Sequence, residues 1–112
     1  ELDQYKSSTI TTATDTTLWT PASSACIGVY KINMAVAGAQ TIELKFTDSI
    51  GSVPSEAIIG LYRFGSEGTY TMDFDTALLR NPNGQDGLLL ATTTTTASTE
   101  IDCIGHDIVA SQ

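Results

Sequence analysis

Apolar and polar positions alternate along most of this chain with a period of two. In residues 41–47, Ile42, Leu44 and Phe46 fall on one side and Thr41, Glu43, Lys45 and Thr47 on the other. That is the pattern of a strand with one face on a core. Residues 69–75 repeat it, with Tyr70, Met72 and Phe74 set against Thr71, Asp73 and Asp75. Residues 26–36 form the longest run, and its most continuous apolar set is Cys26, Gly28, Tyr30, Ile32, Met34 and Val36. Residues 100–109 read as a closing strand, with Ile101, Cys103, Gly105, Asp107 and Val109 opposite Asp102, Ile104, His106 and Ile108. Residues 57–64 and 88–96 add two more strands. Residues 15–20 make a short one that ends at Pro21, which has no N–H for a ladder.

Turn residues separate these runs. Ala22-Ser23-Ser24-Ala25, Gly38-Ala39, residues 48–54 and Gly65-Ser66-Glu67-Gly68 all read as connections. Residues 81–87, with Asn83-Gly84 and Asp86-Gly87, are the clearest loop. Residues 76–80 fit one helical turn, and no longer stretch shows a helical period. Residues 1–13 are polar and read as an arm or an edge strand. The expectation is an all-β chain, an antiparallel β-sandwich of jelly-roll-like form with seven or eight strands. It has one sandwich domain over residues 14–112, preceded by the arm.

Composition supports this reading. The 112 residues include 18 threonines, whose branched side chains suit a pleated surface. The net charge is −8, and the five basic residues, Lys6, Lys31, Lys45, Arg63 and Arg80, are scattered. Nucleic-acid binding requires clustered cations that displace counterions from phosphates, so no such partner is expected. An acidic surface disfavours anionic membranes, and no apolar run reaches the ~20 residues of a spanning helix. The opening Glu1-Leu2-Asp3-Gln4-Tyr5 lacks the basic and apolar regions of a signal peptide.

Candidate chemistry is sparse. His106 has Asp102 and Asp107 nearby in sequence, but no motif positions a nucleophile for it. Asp73 and Asp75 share a face, as a solvent-facing strand also requires. Two cysteines and one histidine fall short of a zinc site. Asn81, Asn83 and Asp86 offer oxygen ligands at spacings that do not match a calcium loop and that a turn explains. No enzyme activity, metal or cofactor is expected. Cys26 and Cys103 are open to two readings: one disulfide between the first long strand and the last, or two buried thiols. Trp19, Tyr62, Tyr70 and Phe74 suit either a core or a sugar-stacking platform.

The opening Thr14-Asp15-Thr16-Thr17-Leu18-Trp19-Thr20-Pro21-Ala22, the strand at 26–36 and the later Asp86-Gly87-Leu88-Leu89-Leu90 together resemble small β-rich structural proteins of tailed bacteriophages. Where those proteins carry basic residues after the Trp-Thr-Pro-Ala turn, this chain has Ser23-Ser24-Ala25. The resemblance implies a capsid decoration or head accessory subunit on the virion surface. Such a subunit binds the major capsid protein or other virion subunits and forms a homo-oligomer, a trimer foremost. The contact elements expected are the arm with Tyr5, the turn at Trp19, Thr20 and Pro21, and the loop with Asn81, Asn83 and Asp86. Alternatives in other classes are a carbohydrate- or receptor-binding module and a self-assembling fibre subunit.

Overall fold

The computed structural model describes residues 3–48, 57–75 and 78–109. Within them lie nine strands and no helix: β1 (Gln4–Ile10), β2 (Asp15–Trp19), β3 (Ala25–Val36), β4 (Gln40–Phe46), β5 (Ala57–Phe64), β6 (Gly68–Asp73), β7 (Leu79–Arg80), β8 (Leu89–Thr93) and β9 (Thr99–Val109). One sheet, here sheet I, has the order β1-β9-β3-β6, with β7 also on β3; sheet II has the order β2-β8-β4-β5. All pairings are antiparallel. The chain passes from one sheet to the other at nearly every connection, and the strand orders are those of a jelly roll. The expected sandwich is therefore present. The ninth strand is β7, which occupies part of the segment read as a helical turn, while residues 76–77 of that segment lie outside the described residues.

The core lies between the sheets and is filled by apolar side chains from both, including Ile32, Met34, Ile42, Leu44, Phe46, Leu89 and Ile101. Strand β3 departs from the simple alternation read in the sequence. Val29 pairs with Gly105 and Lys31 with Ile104, so Tyr30 is an extra residue in the ladder. Such a bulge reverses the side-chain phase. Before it the buried core side chains are Ile27 and Val29; after it they are Ile32, Met34 and Val36. The expected single face from Cys26 to Val36 is thus correct only for its second half. Cys26 and Gly28 turn to the outside of sheet I, where Leu78 and Ile108 lie over Gly28.

The bulge also decides the cysteines. Both are free and buried. Cys103 packs in the core opposite Ile32, whereas Cys26 pairs with Ile108 and its thiol donates to the Asn81 carbonyl at 3.4 Å. Five residues of β9 separate the two ladder positions, about 17 Å at strand rise, and the side chains leave opposite faces. The disulfide reading is therefore overturned, because a bridge needs Cα atoms within about 7 Å. Burial, with the Asp102 carboxylate nearby, pushes the Cys103 thiol up to about 12. It remains a neutral, apolar filler.

The threonine run is also more than strand. β8 ends at Thr93, and threonines in its last residues and just beyond it tie neighbouring segments at one end of the sandwich together. The Thr93 hydroxyl donates to the Thr12 carbonyl at 2.9 Å, and the Thr94 hydroxyl accepts the Thr41 N–H at 2.9 Å. The Thr92 hydroxyl donates to the Asp15 carboxylate.

Candidate functional site

The connections at the opposite end are longer. Residues 20–24 join β2 to β3, and residues 81–88 lead into β8, beside Thr47 at the end of β4. Their backbones are held by three polar side chains. Asn81 is buried; its amide donates to the Thr47 carbonyl at 3.0 Å, and its Oδ1 accepts the Asn83 N–H at 2.9 Å. Its own N–H bonds the Ile27 carbonyl at 3.1 Å, so one residue links both sheets to the loop. Asp86 accepts the Ser24 N–H at 2.7 Å and donates its N–H to the Ala25 carbonyl at 2.8 Å. Ser24 and Asp86 both have φ of 65°, a left-handed backbone that these mutual bonds keep in place.

Asp107 is the third fastener. One carboxylate oxygen accepts the Trp19 indole N–H at 2.9 Å, and the other accepts the Ala22 N–H at 3.0 Å. Trp19 itself is 1% exposed, and the Lys6 ammonium lies 5.4 Å from its ring centroid. It therefore belongs to the core and is not a contact residue. Pro21 and Asn81 are likewise buried. These three expected contact residues are corrected to supports. Thr20 and Asn83 are exposed at this end and Asp86 is partly so, which brings the two expected loops onto one surface. Tyr5 is exposed as well, but stands apart, on the outer face of sheet I opposite Ile104.

Asn81→Ala removes two hydrogen bonds and strands the buried Thr47 carbonyl. We expect it to destabilise the fold by about 2–3 kcal/mol, read as a lower urea midpoint at unchanged slope. Ser23→Ala, at an exposed position of the same end, should change it by under ~0.5 kcal/mol.

Sequence reading missed Asp107 as a support. Its signal is its phase: it shares the inward set of β9 with Cys103 and Gly105, and a carboxylate in that position requires donors. It also missed Arg80, which lines two grooves. One, of 350 Å³, runs between the edges of the two sheets and is walled by Ile59, Tyr62, Met72, Phe74 and Leu79. The other, of 540 Å³, lies beside Cys26, Asn81 and Ile108, and Arg80 and Pro82 belong to both.

The carboxylates singled out in the sequence are engaged in local structure. Asp73 accepts the Asp75 N–H at 2.9 Å and lies 3.9 Å from the Lys31 ammonium. The His106 ring packs against Tyr30 at a tilt of 55° with centroids 5.4 Å apart, and its Nδ1 lies 3.4 Å from an Asp3 oxygen. Asp3, Tyr30, Lys31, Asp73 and Asp75 border one shallow depression of 290 Å³ on the outside of sheet I. Among the described residues, no group of three or more His, Cys, Asp or Glu side chains is placed to hold a metal ion.

No family model and no curated protein matches this chain. Among solved structures, the crystal structure of PirA superposes with a TM-score of 0.50 at 15% identity, covering 94% of each chain. At that identity the likeness concerns the fold.

Proposed function

We propose that this chain is a virion structural subunit of the capsid decoration kind, attached to the shell through the end that carries residues 20–24 and 82–86. The observation that supports this is the fastening of those loops by Asn81, Asp86 and Asp107. Thr20, Ala22, Ser23, Pro82, Asn83 and Gln85 are exposed on a backbone pinned from below. Small side chains on a fixed backbone lose little freedom on docking, which is the condition for affinity from a modest surface. Several copies on one lattice would multiply weak individual contacts.

Co-sedimentation with capsids of the virus that encodes the chain tests this. Thr20→Lys with Gln85→Lys places two long charged side chains on the surface without touching the buried bonds. The variant should bind at least about tenfold more weakly, equivalent to ~1.4 kcal/mol, with an unchanged melting temperature. Unchanged capsid binding by this folded variant would refute attachment through this end.

A further inference from the structure

Of the four aromatic residues that suit either a core or a sugar-stacking platform, Trp19 is buried, Phe74 is half-buried in the groove beside Arg80, and the other two come together. Tyr62 of β5 and Tyr70 of β6 belong to different sheets and meet at the rim of the sandwich. Their ring centroids are 5.7 Å apart and their planes 31° from parallel. Tyr62 folds back along its own strand, so that a methyl added at Gly60 would come to 2.7 Å from its hydroxyl oxygen. The two rings line a groove of 290 Å³ that Leu61, Arg63, Phe64 and Thr69 complete. The lining has both apolar surface and polar tips. A ring that only completes a core is buried, whereas Tyr70 is 47% exposed. Among the described residues, the hydroxyls of Tyr62, Thr69 and Tyr70 and the Arg63 guanidinium have no hydrogen-bond or ion-pair partner. Their bonding capacity is left to whatever fills the groove. Burial, with Tyr70 beside it, pushes the Tyr62 phenol above its ordinary range, so it stays a donor. β5 is also the free edge of sheet II, and part of its backbone N–H and C=O row faces outwards.

We infer that this groove binds one sugar ring, the end unit of a neutral glycan. A pyranose presents C–H groups on one face and hydroxyls around its rim. The face calls for an exposed aromatic ring, and the rim calls for donors and acceptors just beside it; the groove has both. Its volume is at the small end of the ~300–1,000 Å³ of ligand sites, which suits one ring and not a chain. An acidic sugar would gain Arg63 but meet Glu67, exposed on the adjoining turn, and Glu43, which pairs with Leu61. A neutral one meets no such opposition. The groove also lies away from the attachment loops. Phe64 pairs with Gln40 at the start of β4, whereas those loops are tied to Thr47 just past its end, about 20 Å further at strand rise. A subunit held by that end would leave the groove facing outwards, but the inference does not depend on such attachment.

The test uses the full chain, biotinylated and gathered on streptavidin so that weak single sites add up, on a printed array of neutral and acidic glycans. Neutral glycans should bind. Tyr70→Ala, which removes the stacking face, and Arg63→Ala, which removes a rim donor, should each weaken binding at least about tenfold. Tyr70→Trp keeps an aromatic face and should keep binding. Both substituted positions are exposed, so melting temperatures should stay close to that of the parent; if Tyr70→Ala unfolds the chain, Arg63→Ala and Tyr70→Trp carry the comparison. Titrating a bound glycan into the ¹⁵N-labelled chain should shift amide signals of residues 61–64 and 68–71. An array on which no neutral glycan binds, binding that survives both alanine variants, or shifts confined to other residues overturns the inference. Loss of capsid binding by the loop variant above leaves it standing.

Discussion

Gly105→Ala should destabilise this protein by on the order of 3–4 kcal/mol, a large part of the ~5–15 kcal/mol that holds a small domain together. The reason lies at the bulge. A methyl group on Gly105 would come to 2.1 Å from the Gly28 carbonyl oxygen and 2.8 Å from the Val29 Cα. Both are backbone atoms of the neighbouring strand, so no side-chain rotation relieves the clash. β3 and β9 must separate where their ladder carries the extra residue Tyr30. Urea denaturation gives the comparison. Gly38→Ala, whose methyl would meet only the Ala97 Cβ at an ordinary 3.6 Å, should stay within ~0.5 kcal/mol of the parent.

Trp19→Ala should be as damaging, at about 3–5 kcal/mol, because it empties one of the largest buried volumes in the core. This differs from what a contact residue would show, since the loss would appear in the melting temperature of the isolated chain. The polar part can be separated from the volume. Asp107→Ala strands the buried indole N–H and frees the 20–24 turn, at a cost of about 2–3 kcal/mol. In a Trp19→Phe background the indole N–H is gone, so the same change should cost about 1–2 kcal/mol less. Additive effects would mean that the 2.9 Å indole bond contributes nothing.

The strands were legible in the sequence because a period of two survives wherever no residue is inserted. Residues 41–47 keep it, and Ile42, Leu44 and Phe46 are core as expected. Residues 26–36 lose it at Tyr30, and one extra residue was enough to place Cys26 and Gly28 on the wrong face. The paired glycines, Gly28 and Gly105, mark the close approach of two backbones, but sequence alone does not say that they are neighbours. The same reversal of phase removed the disulfide.

The loop residues were found for a mixed reason. The residues Asn81, Asn83, Asp86, Thr20 and Pro21 do gather at one end, yet polarity in a loop signals either a contact or a support. Asn81 is turned inwards, where its amide donates to the carbonyl of Thr47 just past the end of β4. Gly87 beside it is obligatory: a methyl there would come to 2.2 Å from both Asn81 Nδ2 and the Thr47 oxygen. Arg80 and the apolar edge of β5 escaped notice because an edge strand and an inner strand of similar composition read alike until the sheet order is known.

Hydrogen–deuterium exchange on the chain, free and bound to capsids, tests the attachment surface most directly. The account predicts that binding slows exchange in residues 20–24 and 82–86. Protection confined to any other surface, with those two loops exchanging as fast on the particle as off it, would contradict it.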